Sequence, residues 1–263
     1  MPVWLLVHGS QNPFEDIDEP IIQLFRGARK ELPVDTGVAL LIDSPGGQAR
    51  TAYQLGSFLR RRCGHYVALV PYNAKSAATL LALGATEIII GDFGELGPLD
   101  VQVEDPDREE VGSALNEVSA LERLNAVSLE SIDKVMMFLL ARTGKRIETL
   151  LPHITRFVAE TMRPLYEKID TVHYTQTSRV LKIAEEYAVR LLLPYRSGRE
   201  AASIARHLIE HYPAHDYVID REEAMANDLP VVPPNADLAA AFDAMFPFLE
   251  SGLTAIGRIE ELP

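Results

Sequence analysis

Residues 66–103, YVALVPYNAKSAATLLALGATEIIIGDFGELGPLDVQV, constrain the fold more than any other stretch. An apolar run from Tyr66 to Pro71 meets a polar turn, Tyr72-Asn73-Ala74-Lys75. Ser76 follows, and then a segment to Ala85 built almost only of Ala and Leu. A second apolar run, residues 88–90, opens into the glycine-studded residues 91–97. Short apolar runs bounded by turn residues predict buried strands. The Ala/Leu segment is apolar on all sides, which predicts a buried helix. Strand, turn, helix and strand in that order predict a βαβ unit with parallel strands.

Ser76 stands where that helix begins. Backbone N–H groups there lack intrahelical partners and the helix dipole favours negative charge. A serine oxygen turning into an alkoxide is helped by that position, and Ala77 and Ala78 leave room for a substrate. The plainer role is an N-cap, which contributes about 1 kcal/mol. Both roles are open at this point.

The preceding chain repeats the pattern. Residues 3–7 predict a strand, 8–19 a loop, 21–32 a helix and 38–42 a second strand. Asp43-Ser44-Pro45-Gly46-Gly47 comes next, then helical spacing over 48–62. Adjacent glycines at a strand-to-helix turn allow positive φ and close approach of the backbone to a ligand. Their N–H groups then suit a developing oxyanion. The SPGG turn and the turn before Ser76 fall at the same end of neighbouring parallel strands, the end where such sheets bind ligands.

Past Asp100 the chain is acidic and reads as a solvated loop over 104–110. Helical patterns follow at 113–124, 129–142, 145–166, 178–192 and 198–211. A short extended piece, 215–219, precedes a capping box at Asp220 and Glu223. Residues 227–237 read as a loop and 238–249 as a last helix. The front is α/β and the back nearly all helix. We expect an α/β domain over residues 1–225 and a helical extension over 226–263.

Composition narrows the function. A formal net charge of -13 argues against nucleic-acid partners. The lone Cys63 rules out an intramolecular disulfide and fits a cytoplasmic protein. No apolar run is long enough for a transmembrane segment. The seven histidines are scattered without metal-ligand spacing, so we expect neither metal nor cofactor.

LLIDSPGGQARTAYQLGSFL, AKSAATLLALGATEIIIGDFGELGPLDVQV, SRVLKIAEEYAVRLLL and HDYVIDREEA together resemble the Clp protease/crotonase superfamily. The similarity is closer to its signal peptide peptidase A-like branch, and closest to the serine dehydrogenase proteinases. That resemblance implies a spiral of βαβ units, a homo-oligomer and a peptide or protein substrate. It implies Ser76 as nucleophile, with Gly46, Gly47 and Ala77 N–H groups around the oxyanion. The sequence departs from the Clp pattern in one respect: residues 96–102 contain no histidine. The signal peptide peptidase A-like enzymes use lysine as base, and Lys75, Lys134, Lys168 and Lys182 are the lysines in question. Asp100 and His215 are further site candidates, each with a plainer reading as a water-facing carboxylate and a structural histidine. The resulting expectation is a serine peptidase. The alternatives are a crotonase-like acyl-thioester enzyme and an inactive scaffold.

Overall fold

The structure, a computed structural model, describes residues 1–9, 15–105 and 110–259. The chain divides into two compact units. The first holds residues 1–101 and 182–263, and the second holds 102–181.

The first unit is built on a parallel sheet. Its strands are β1 (Val3–Val7), β2 (Val38–Asp43), β3 (Tyr66–Val70), β5 (Glu87–Ile90) and β9 (Val231–Val232). They pair in that order, and β10 (Ala255–Arg258) adds an antiparallel edge beside β1. A two-residue strand, β4 (Asn73–Ala74), pairs separately with β6 (Glu95–Leu96). The crossovers run through α1 (Glu19–Gly27), α2 (Ala49–Cys63) and α3 (Ala77–Ala82). The α/β class and the βαβ units expected from the apolar runs are therefore present.

Successive side chains along the strands point to opposite faces, as the pleat requires, so residues two apart share a face. Val7, Ala39, Leu41, Val67 and Leu69 form one face and pack with Phe242 and Leu249 of α9 (Ala236–Glu250). Trp4, Leu6, Leu40, Ile42 and Ala68 alternate with them and are buried too, with Trp4 lying on Phe25 of α1. With both faces covered, β2 and β3 are buried at every residue, so their sequence is a continuous apolar run. Within residues 226–259 the chain supplies β9, α9 and β10 to this same sheet and its cover.

The second unit opens on β7 (Gln102–Asp105) and β8 (Glu110–Ser113), an antiparallel pair where the sequence reads as an acidic loop. Residues 106–109 of that stretch lie outside the described residues, as do 10–14 of the loop expected over 8–19. α4 (Ala114–Thr143) is continuous through residues 125–128, where the sequence pattern predicts a break. Asn-Ala-Val-Ser contains neither Pro nor Gly, so nothing there stops a helix. α5 (Ile147–Tyr166) lays Leu150, Ile154, Val158 and Met162 along one stripe against α4. Val135, Met136, Leu139 and Leu140 are thereby covered within the chain, whereas Met137 and Phe138 remain exposed. α6 (Thr171–Leu192) begins in this unit and ends in the first, where α7 (Gly198–Glu210) and α8 (Arg221–Ala226) follow. Ser197 and Glu200 form a full capping box on α7, and Asp220 accepts Glu223 N–H at the head of α8. Among the described residues no helix is long and apolar enough to cross a membrane.

Candidate active site

β2 delivers Ser44-Pro45-Gly46-Gly47 at its carboxyl end, and β3 delivers the turn before Ser76 at the same edge of the sheet. The two turns are tied together by backbone hydrogen bonds. Ser44 N–H donates to Asn73 O at 2.8 Å, and Lys75 N–H donates to Ser44 O at 3.0 Å. The SPGG stretch is thus clamped to the residue that precedes Ser76.

Ser76 has φ 49° and ψ -115°. A non-glycine residue at positive φ costs on the order of 1–3 kcal/mol and persists only where its surroundings impose it. Its side chain makes no capping hydrogen bond to α3, although the residue occupies the N-cap position. The capping role expected as the plainer alternative is therefore not what the hydroxyl does. α3 spans only residues 77–82, less than two turns, against the 76–85 expected, so its dipole contributes little at Ser76.

Gly46 is the residue that touches Ser76. Its φ is 118°, and a Cβ built there would lie 2.8 Å from Lys75 O, 2.9 Å from Ser76 Cβ and 3.1 Å from Ala77 N. Only glycine fits at that position. Its N–H donates to Ser44 Oγ at 3.1 Å. Gly47, at φ 132°, faces elsewhere: a Cβ on it would meet Ile17 N at 2.6 Å. Ile17 N–H donates to Gly46 O at 2.6 Å, and Gln48 N–H donates to Ile17 O at 2.9 Å, so the glycine pair is bridged to the segment before α1. Among the described residues the N–H groups of Gly47 and Ala77 have no hydrogen-bond acceptor.

Behind Ser76, the buried Thr79 joins two turns. Its Oγ1 accepts Gly97 N–H at 3.0 Å and lies within hydrogen-bond reach of Ala74 O and Gly97 O. Tyr66 of β3 donates from its buried hydroxyl to Leu81 O, anchoring the far end of α3. Desolvation holds that phenol well above the usual tyrosine range.

The family model for ClpP-like SDH-type serine proteinases matches residues 13–150, which include both clamped turns and the strained serine. The chain belongs to that family. Two uncharacterized proteins of Methanocaldococcus jannaschii are 37% and 33% identical to it over 89 residues. The match covers 34% of this chain and 29% of each relative's length. Among solved structures, a mutant of the 1510-N membrane-bound stomatin-specific protease aligns over 86% of this chain and 79% of its own. The sequence identity is 12% and the TM-score 0.47.

The other residues expected at the site of this SDH-type proteinase are placed as follows. Lys75 is an ion-paired lysine: Nζ lies 2.6 Å from Glu95 Oε1 and donates to Leu96 O and Tyr217 O, each at 3.3 Å. Lys134 and Lys168 are exposed, and Lys134 pairs with Glu130. Lys182 is held above the usual lysine range by its hydrogen bond to Glu185, opposite to what a base needs. Asp100 is buried, which corrects the water-facing reading. It ends a loop that docks on α7 through Leu99 N–H to Leu208 O at 2.9 Å. His215 is half-buried, with a buried Nδ1 that has no partner among the described residues. Its segment runs beside the site, since Tyr217 O holds Lys75 Nζ and Ile219 bridges to Leu96. No hydrogen bond joins His215 to Ser76.

Sequence reasoning missed His8 and singled out Ser44 only as part of SPGG. His8 Nδ1 lies 2.7 Å from Ser44 Oγ, the oxygen that also accepts Gly46 N–H. Burial pushes His8 down to about 4, so the ring is neutral at physiological pH. Asp43, beside it on the sheet edge, is pushed upward by burial against the lowering effect of Asn73 N–H at 3.0 Å. The available signal was positional. His8 is the first polar residue after β1, so a parallel pairing with β2 brings it beside Asp43 and Ser44.

Proposed function

We propose that this chain is a serine peptidase in which Ser76 Oγ attacks the carbonyl carbon of a peptide or protein substrate. The observation that carries the reading is the strained backbone of Ser76 combined with a hydroxyl not used as a cap. Strain of this kind is stored at functional sites, and a sharp strand-to-helix turn is how a nucleophilic serine is presented. The oxyanion of the tetrahedral intermediate would take the N–H groups of Ala77 and Gly47. Gly46, whose N–H is held by Ser44, contributes its missing Cβ. The serine proton passes to a base and then to the leaving amine, and water resolves the acyl-enzyme. In this reading His215 is the candidate base, since its buried Nδ1 is unpartnered and its segment meets the lysine next to Ser76. Asp100 supports the loop after β6. A homo-oligomer with closed symmetry belongs to the same proposal, supported by Met137 and Phe138 exposed on α4. A reducing, cytoplasmic setting also belongs to it.

A fluorophosphonate probe tests the assignment. The parent should be labelled on Ser76, Ser76→Ala should not react, and His215→Gln should label at least tenfold more slowly. Labelling of Ser76→Ala at the parent's rate would show that another residue is the nucleophile. No labelling of a folded parent would favour an inert scaffold. Sedimentation tests the assembly, and a stable 29.2 kDa monomer at micromolar concentration would exclude it.

A further inference from the structure

At the opposite edge of the sheet lies a cavity of about 620 Å³ lined by four arginines, Arg26, Arg29, Arg61 and Arg62. Phe58 and Val34 supply its apolar wall, and Asp35 is its one carboxylate. Val34 and Asp35 precede the start of β2, whereas Ser44 follows its end. Six residues at about 3.3 Å each separate the two edges, roughly 20 Å. This cavity is therefore distinct from the candidate active site.

Three features point to an anionic ligand. First, none of the four guanidinium groups has an ion-pair partner among the described residues, and Arg62 Nε is buried without a hydrogen bond. Arg60, the remaining member of the Arg60-Arg61-Arg62 run, turns elsewhere and donates to Leu191 O at 3.2 Å. Second, the chain carries a net charge of -13. Four of its 25 basic residues gathered round one cavity make a local positive field against that background. The C-termini of α1 and α2 open nearby, each equivalent to about half a negative charge. They and Asp35 reduce the excess without cancelling it. Third, the size exceeds a simple ion. A water occupies about 30 Å³, so one phosphate would leave most of the cavity unfilled, whereas small-molecule sites run about 300–1,000 Å³.

We infer that this cavity binds an anion carrying two or more phosphate groups. Guanidinium forks match phosphate and carboxylate oxygens alike in paired hydrogen bonds, and a polyphosphate offers several such pairs within one small molecule. The half-buried ring of Phe58 and the exposed Val34 form a face on which an organic group attached to the phosphates rests. Free polyphosphate and a nucleoside polyphosphate share the recognised chemistry and differ only at that face.

Calorimetric titration of the full chain with tripolyphosphate and with ATP, without divalent metal, tests the inference, with sulfate at equal ionic strength as reference. Tripolyphosphate should bind at least tenfold more tightly than sulfate. Arg29→Gln/Arg61→Gln should weaken it by tenfold or more and leave unliganded thermal unfolding near the parent's. If the double variant does not fold, Arg29→Gln alone should weaken binding by threefold or more, since its side chain is exposed. Equal affinity for tripolyphosphate and ATP would mean that phosphate alone is read. Tighter ATP binding, lost in Phe58→Ala, would mean that the apolar face reads the nucleoside. Binding no stronger than sulfate, or unaltered in the arginine variants, would overturn the inference. Preference for an oligoglutamate peptide over tripolyphosphate would also overturn it and mark a protein-docking surface.

Discussion

Ser76→Gly, compared with Ser76→Ala, reads the stored strain directly. At φ 49° and ψ -115° an L-residue occupies the mirror image of extended backbone. Glycine enters that region about as readily as its mirror. Relieving the strain returns about 1–3 kcal/mol, and the larger conformational freedom of glycine in the unfolded chain removes about 0.4–1 kcal/mol. The net expectation is a Ser76→Gly protein more stable than Ser76→Ala by about 1 kcal/mol. For a unit of this size that corresponds to a rise of about 2–4 °C in Tm. Ser76→Ala itself should stay within about 0.5 kcal/mol of the parent, because the hydroxyl caps nothing. A capping serine would instead lose about 1 kcal/mol on that change. Urea titration of the three proteins measures the differences, with equal m-values confirming that the folded and unfolded states are comparable. Both variants should be inert to the fluorophosphonate probe. A Ser76→Gly protein less stable than Ser76→Ala by 1 kcal/mol would refute the argument from strain.

Gly46→Ala should slow probe labelling by about a hundredfold, since its Cβ would meet Ser76 Cβ at 2.9 Å and displace the serine. Gly47→Ala should lower Tm, because its Cβ would meet the Ile17 backbone, and should also slow labelling of the folded protein, because the same shift moves an N–H proposed for the oxyanion. Thr79→Val leaves Gly97 N–H without its acceptor, and urea titration should show a loss of about 1–3 kcal/mol. His8 is held near 4 in the fold and titrates near 6.5 when unfolded, so between those values the unfolded chain binds the extra proton. Its contribution, on the order of 3 kcal/mol, is complete above pH 6.5 and is lost as pH falls towards 4. Asp43, raised by burial, acts in the opposite sense, stabilising below its unfolded value and less as pH rises through its folded one. The difference between parent and His8→Gln in denaturant midpoints from pH 4 to 7 isolates the histidine, and a pH-independent difference would refute its neutral burial.

β1, β2, β3 and β5 were legible because they read as unbroken apolar runs, whereas the two-residue β9 falls in a Pro-rich stretch that reads as a loop. The turns at the carboxyl edge of the sheet were legible because glycine and proline interrupt those runs. β10 was not, since Ala255–Arg258 has three partly buried residues and one exposed and pairs with a strand some 250 positions earlier. No local period signals such a partner. β7 and β8 were hidden by acidic composition, which reads as solvated loop although their backbones pair. At the candidate site, Ser76 and Gly46 were singled out by residue type and turn position. Gly47 and Gly46 were not separable in sequence, because what distinguishes them is which neighbour a Cβ would strike. His8 escaped notice because its role depends on strand register, and Lys75 became interpretable only once Glu95 was seen to hold it.

Those contacts also explain how a strained residue survives at the end of so short a helix. α3 is too brief to fix its own first turn, so the constraint comes from outside it. Ser44 holds the backbone on one side through Asn73 and Lys75. Thr79 holds the other through Ala74 and Gly97. Gly46 fills the remaining space so closely that Ser76 Cβ has little room to relax towards Gly46. Each of these anchors is backbone or a fully buried side chain, which makes the conformation of Ser76 a property of the sheet edge rather than of a flexible loop. A hydroxyl presented that way gains nothing for stability. A serine in a position that glycine would occupy at lower cost is the observation on which the proposed chemical role rests.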